Sequence, residues 1–314
     1  MNLEAVAAWL KFMPQQFRHF VESQRKPLEA ALEEFLPLSS QPQVAGLNEA
    51  LRYAVFSDGK RWRPMLTILG ALLVGGKVRS VLPIACGVEF LHTSSLILDD
   101  LPAMDDADVR RGRSATHLVY GENLALLASL ALLNQSYSLF ARAPHCAARL
   151  VEEAARCVGT DGMIGGQAID LTLRSGEQQS SDLFNRNMKT TALLQLTMTA
   201  GAIASRASKA DAEALAMFGE RLGMAYQICD DLMDALGESA QLGKPVGQDV
   251  RHNRLNFAVE LGPSDARQMA MDLIQQGKDT LHHQFGARHE VALLCEAADL
   301  VVQTTASVAV AAGR

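Results

Sequence analysis

The chain has 314 residues, 48% of them apolar and 20% charged, with a formal net charge of −6. This fits a soluble globular protein with a large core, and with no long Lys/Arg run it excludes a general nucleic-acid binder. The five cysteines, at 86, 146, 157, 229 and 295, are odd in number and never spaced C-x-x-C. Neither a disulfide framework nor a zinc site is expected, and reduced thiols predict a cytoplasmic protein.

In chain order, the opening 40 residues read as a looser arm. They lack the basic flank and long apolar core of a signal peptide, and Pro37 with the polar SSQPQ closes them off. Helical periodicity then takes over. EALRYAVF (49–56) and LTILGALLV (66–74) carry apolar residues at three- and four-residue steps, with breaks at Gly59 and Pro64. After Gly75 and Gly76, VEFLHTSSLIL (88–98) runs into Asp99 and Asp100, and Pro102 disfavours helix at Leu101. LALLASLALL (124–133) is the most apolar stretch. It falls well short of the ~20 residues a membrane span needs, so it predicts a buried core helix and no membrane crossing. VEEAARCV (151–158) follows Pro144, and a polar run around Gly176 leads to Ser181 or Asp182 as a helix N-cap. Helical patterns return over 190–207 and 212–236, pause at Gly237 and Pro245, and resume over 266–281 after Gly262 and Pro263. Strand-like alternation is nearly absent, and no linker or repeat divides the chain. The expectation is one all-α domain over residues 1–314, a large helical bundle around a deep central cavity.

Two acidic clusters end apolar helices. Five aspartates fall within 99–108, in DDLPAMDDAD, and Asp230, Asp231 and Asp234 close MAYQICDDLMDAL. On a helix Asp230 and Asp234 share a face, at a cost of roughly 0.2–0.5 kcal/mol for the like-charge pair. A loop over Leu101–Met104 would bring Asp105 back towards Asp99. A single cluster of this kind is more often a solvated helix end. Two of them, about 130 residues apart and each with basic residues downstream, read as facing metal-binding walls. Carboxylate-only ligation suits a hard cation, and Mg²⁺ in particular, which takes one or two carboxylates and shares its shell with water and substrate phosphates.

A polyphosphate ligand also needs positive charge. Lys60, Arg61 and Arg63 follow a glycine turn, Arg110 and Arg111 follow the first acidic cluster, and Lys189 and Lys244 lie further on. Arginine can grip phosphate in a bidentate fork, and lysine acts as a point charge. Glycine-rich phosphate loops are absent.

These residues resemble the head-to-tail trans-isoprenyl (polyprenyl) diphosphate synthases, from about residue 45 to 265. GKRWRP (59–64), DDLPAMD followed by RRG (99–112), GQAIDL (166–171), KTTAL (189–193) and QICDDLMD followed by GK (227–244) match that family's signatures in order. The resemblance implies an all-α isoprenoid synthase fold and a homodimer. It also implies condensation of isopentenyl diphosphate with an allylic diphosphate (dimethylallyl, geranyl or farnesyl). Asp99, Asp100 and Asp105 on one side, and Asp230, Asp234 and nearby Asp231 on the other, would hold the allylic diphosphate through three Mg²⁺, with Mn²⁺ as an alternative ion. Arg110, Lys189 and Lys244 would touch that diphosphate directly. Isopentenyl diphosphate would sit without metal on Lys60, Arg63, His92 and Arg111, and Thr190 and Gln227 would line the reacting centre. The chain departs from the family pattern at Asp58, Leu98, Ser114, Ala115, Arg254 and Asn256.

In this family the residues four and five before the first aspartate face the growing tail. Here they are Ser95 and Ser94, both small, with Leu91 and Phe90 one turn deeper as the floor. A turn of helix is about 5 Å, roughly one isoprene unit, so a C20 product, geranylgeranyl diphosphate, is expected over C15 farnesyl diphosphate. A terpene cyclase would lack GKRWRP. A non-catalytic subunit of a heteromeric synthase would have lost aspartates.

Overall fold

The computed structural model describes residues 13–57, 59–172, 187–236 and 256–312. The expectations placed on Asp58, Gly176, Ser181, Asp182, Gly237, Lys244, Pro245 and Arg254 lie outside them. Along the chain run α1 (Gln15–Phe35), α2 (Ala45–Val55), α3 (Trp62–Leu73), α4 (Val78–Asp99) and a two-stranded ribbon, β1 (Val109–Arg110) and β2 (Arg113–Ser114). Then come α5 (Thr116–Tyr120), α6 (Glu122–Phe140), α7 (Ala147–Val158), α8 (Met163–Thr172), α9 (Met188–Ala204), α10 (Lys209–Leu236), α11 (Phe257–Leu261), α12 (Pro263–Phe285) and α13 (His289–Ala312). The all-α architecture is as predicted, and one apolar cluster extends from Met13 to Val301.

Helix α4 is apolar around most of its circumference and therefore cannot lie at a surface. It packs against α1, α2, α3, α6 and α9. Among the described residues it is the one helix long and apolar enough to cross a membrane, and most of it is buried inside the protein. Its buried acids, Glu89 and Asp99, with Asp100 just past its end, are the costly exceptions to its apolar character. Helices α9 and α10 approach closely because α10 presents glycine at the contact. A Cβ on Gly223 would lie 2.7 Å from the Thr191 Cα, and one on Gly219 2.6 Å from the Leu194 carbonyl oxygen. This contact brings Thr190 within hydrogen-bond reach of Gln227.

Two expectations are corrected. Residues 15–35 are not a loose arm. Phe17, Val21, Leu28 and Leu32 lie on one face of α1 and are fully buried, and the Phe17 N–H donates to Glu296 of α13 (2.8 Å). Nor is 124–133 wholly core. Ala125, Ala128, Ser129 and Leu132 are buried, but Leu126, Leu127 and Leu130 are 43–50% exposed. The run is apolar on both faces, and only one of them meets α4.

The ribbon was not anticipated, because two-residue strands carry no periodicity. Val109 pairs with Ser114 and Arg110 with Arg113 around Arg111 and Gly112, both at positive φ (55° and 73°). That two-residue turn matches the twist of an antiparallel pair. It also sends the neighbouring side chains of Arg110 and Arg111 to different partners.

Candidate active site

The first acidic wall forms where α4 stops. Beyond Asp99 the chain folds back, with the Asp105 N–H on the Asp99 carbonyl (2.9 Å) and the Ala107 N–H on the Asp100 carbonyl (3.2 Å). Asp99 and Asp100 are buried, and each carries a cation. Lys189 Nζ lies 2.8 Å from Asp99 Oδ2, and Arg110 Nε donates to Asp100 Oδ1 at 2.8 Å. Burial raises both carboxyl pKa values, and the lysine and arginine work against it. Arg110 moves the opposite way from a buried cation. Desolvation pulls its pKa down, but Asp100, Asp99 and Asp105 more than offset this.

The second wall lies on α10. Thr190, the residue after Lys189, donates through Oγ1 to Gln227 Oε1 (3.0 Å), and Gln227 Nε2 donates to Asp231 Oδ1 (2.9 Å). Two consecutive residues of α9 thus reach the two walls, Lys189 to Asp99 and Thr190 to Gln227. Asp230 is half-buried and Asp234 buried, one helical turn apart on the same face. Asp231 differs from the expected metal ligand. Its Oδ2 accepts from the Phe257 N–H (2.9 Å), its Oδ1 from Gln227, and it is 2% exposed. Both oxygens are turned to protein donors. Asn256, a departure from the family pattern, completes this joint. Its Oδ1 caps α11 at the Ala258 N–H (2.8 Å), and its Nδ2 donates to the Asp231 carbonyl (3.2 Å).

Beside the first wall is a cluster of cations. Arg61 takes the left-handed conformation (φ 54°) at the start of α3. Its side chain turns inward to Glu29 and Glu89. Arg63 Nη1 lies 3.2 Å from His92 Nε2, and the Arg63 guanidinium sits 6.0 Å from the Tyr226 ring centroid. Tyr226 stacks in turn on Trp62 (5.9 Å). Arg111 arrives from the ribbon. A Cβ on Gly59 would meet Nη1 of Arg111 and of Arg61 at 3.1 Å, so glycine leaves the space both guanidinium groups use. Burial lowers the pKa of Lys60, Arg63 and Arg111. It also holds His92 well below the usual imidazole range, with Arg63 and Arg111 adding to the effect. An arginine N–H can only donate, so His92 Nε2 accepts and the ring is neutral, with its proton on Nδ1. That Nδ1 is buried without a partner. A cluster of desolvated cations and an unused N–H is suited to an anion.

The four chain-length candidates lie on α4 but do not share a face. Ser95, four residues before Asp99, lies on the Asp99 side of the helix and donates to the His92 carbonyl (2.9 Å). Ser94 faces α6, where its Oγ is 2.9 Å from Ser129 Oγ. Phe90 is nine residues before Asp99, half a rotation away at 100° per residue, and fully buried. Leu91, also fully buried, lies nearer the Asp99 side and replaces Phe90 as the candidate floor.

Sequence reasoning did not assign roles to Glu29, Glu89 or Tyr226, and it placed Arg61 among the phosphate-binding charges, whereas the structure turns that side chain to Glu29 and Glu89. Glu89 alone left a trace, as an acid inside an apolar helix.

The chain is similar to known proteins along most of its length. The family model described as polyprenyl synthetase matches residues 44–287. Heterodimeric geranylgeranyl pyrophosphate synthase large subunit 1 of Arabidopsis thaliana is 34% identical over 276 residues, 84% of this chain and 74% of that protein. The mitochondrial geranylgeranyl pyrophosphate synthase 6 of the same plant is 33% identical over 306 residues, 92% of this chain and 90% of that one. Among solved structures, an FPP/GFPP synthase from Zymomonas mobilis superposes with a TM-score of 0.79 at 29% identity, covering 91% of this chain and 98% of that one.

Proposed function

Because the chain belongs to the polyprenyl synthetase family, we propose for it the head-to-tail condensation of isopentenyl diphosphate with an allylic diphosphate, carried to a C20 product. It is a short-chain trans-prenyltransferase. The observation that carries the site reading is the Lys189–Thr190 pair, which ties Asp99 on α4 to Gln227 on α10.

In this reading Asp99, Asp100, Asp105, Asp230 and Asp234 hold magnesium, three ions by the family resemblance, with manganese as the alternative. The residues fit such a group. The donors are hard carboxylate oxygens. That suits an ion taking one or two carboxylates and completing its shell with phosphate and water. Bound magnesium neutralises charge on the leaving diphosphate. Lys189 and Arg110 already lie against Asp99 and Asp100, within reach of the same diphosphate, and Lys244 belongs with them in the family pattern. Asp231 and Thr190 fix both ends of the Gln227 amide, so its dipole stands oriented at the reacting centre. Lys60, Arg63, Arg111 and the His92 Nδ1–H hold isopentenyl diphosphate without metal.

The allylic C–O bond breaks as the diphosphate leaves, and the isopentenyl double bond forms the new C–C bond. A proton then leaves the adjacent carbon, and the family resemblance assigns it to the departed diphosphate. The small Ser95 on the Asp99 side of α4 and the geranylgeranyl pyrophosphate synthases among the relatives support C20. The similar FPP/GFPP synthase structure keeps C15 as the second reading. Both acidic clusters are intact, which argues against a non-catalytic subunit.

A homodimer is proposed from the family resemblance, with the exposed Leu118, Val119, Leu126, Leu127 and Leu130 of α5 and α6 as its contact residues, since exposed apolar side chains in number suit an interface. A reducing, cytoplasmic setting is proposed from five free thiols. The test is incubation of the protein with Mg²⁺, isopentenyl diphosphate and dimethylallyl or farnesyl diphosphate, with the product sized by chromatography. A C20 prenyl diphosphate is expected. Accumulation at C15 overturns the length, and no product without a second chain overturns the self-sufficient enzyme.

A further inference from the structure

Helix α1 lies outside the stretch that the family model matches, residues 44–287, yet it grips the cationic turn. Arg61 Nε and Nη2 donate to the two oxygens of Glu29 on α1 (2.9 and 3.1 Å), and Nη1 donates to Glu89 on α4 (2.8 Å). One turn earlier on α1, Arg25 Nη2 reaches the Gly59 carbonyl (3.5 Å). Arg61 and Glu89 are almost fully buried, whereas the Glu29 side chain is 32% exposed. A fork satisfied on both sides fixes the guanidinium in plane and direction. It also fixes a backbone in the left-handed region, a conformation strained for a non-glycine residue that persists only when its surroundings over-determine it. Lys60 and Arg63 flank that backbone, and Arg111 packs on the same glycine as the Arg61 guanidinium.

We propose that Glu29, through Arg61 and with Glu89, is a positioning residue for isopentenyl diphosphate, so that α1 is part of the acceptor site. The inference rests on the acceptor-site reading above. Arg61 does not touch the substrate. It spends its charge on two carboxylates and holds the turn so that Lys60, Arg63 and Arg111 converge.

Position and charge predict opposite effects, which makes the proposal sharp. Removing the Glu29 carboxylate leaves the site more positive, and by charge alone an anionic substrate would bind more tightly. If Glu29 acts by position, binding weakens instead. The variant is Glu29→Ala, with Glu33→Ala as control, because Glu33 lies one turn further along α1 and pairs with Arg52 at the surface. Initial rates are measured with each substrate varied. Metal-free binding of isopentenyl diphosphate is measured by calorimetry.

The expected result for Glu29→Ala is a KM for isopentenyl diphosphate raised at least fivefold, with kcat and the allylic KM within twofold of the parent. The metal-free Kd should rise in parallel, and Glu33→Ala should match the parent. An unchanged or lower KM for isopentenyl diphosphate overturns the proposal. So does an equal rise in both KM values accompanied by a fall in melting temperature, which would mark a merely structural role. Should Glu29→Ala fail to fold, Glu29→Gln is read by the same criteria. If the parent makes no prenyl product but binds isopentenyl diphosphate more tightly than the variant, the enzyme reading fails and the positioning role stands.

Discussion

Asp99 and Asp100 are adjacent in the chain but face different partners, because a helix turns 100° between them. Asp99 looks towards Lys189 on α9, and Asp100 towards Arg110 on the ribbon. Replacing Asp99 with Asn keeps its shape and removes its charge. We expect a fall in kcat of about 10²–10³-fold, the scale of losing one transition-state charge contact, with circular dichroism unchanged. Ser95→Phe should shift the product from C20 to C15 by chromatography, whereas Phe90→Leu, on the far side of α4, should leave the product distribution as it was. His92 carries a pH signature. Its folded pKa is depressed, so below the unfolded value of about 6.5 the unfolded chain binds a proton that the folded chain refuses. Stability then falls as pH falls, at up to about 1.4 kcal/mol per pH unit. In urea titrations from pH 7 to 5, the parent should lose stability faster than His92→Gln.

At the scale of elements, the site depends on how helices are joined. Asp231 links α10 to α11 by accepting from the Phe257 N–H, and Asn256 links them again through the Asp231 carbonyl. Asn256→Ala removes a helix cap and a buried donor. A loss of about 0.5–2 kcal/mol is expected for the cap, together with a lower kcat as the Gln227 end of the network loosens. Asn256→Ser, which keeps a capping oxygen, should recover most of the stability in chemical denaturation. The motif RRG is legible as charge, and the family resemblance divides it between two sites, but the physical cause of that division is not in the sequence. Only the positive-φ turn of the ribbon explains why Arg110 serves the aspartates and Arg111 the glycine turn.

For the whole molecule, the exposed leucines of α6 make a prediction about assembly. The double substitution Leu127→Asp and Leu130→Asp should convert the proposed dimer to a monomer in size-exclusion chromatography with light scattering. A burial of charge across a two-fold contact is self-opposing, because each change occurs twice. Metal removal tests the two proposed diphosphate sites separately. A chelator should abolish condensation while leaving the metal-free Kd for isopentenyl diphosphate within twofold of its original value, because the proposed acceptor site uses side-chain cations alone.

The sequence by itself determined the helical class, the end of α4 at Asp99, the fold-back of Asp105 and where in the chain the two acidic clusters fall. Those follow from local rules: apolar spacing, proline geometry, and the chemistry of carboxylates set in apolar helices. The tertiary structure alone decided that α1 packs against the core and reaches the cationic turn, that Asp231 serves Gln227 and α11, and that α6 leaves an apolar face open. Each of these depends on which face of a helix meets which neighbour. Periodicity marks a face as apolar without saying what covers it, and an acid such as Glu29 or Glu89 acquires its role only when the fold delivers Arg61 to it.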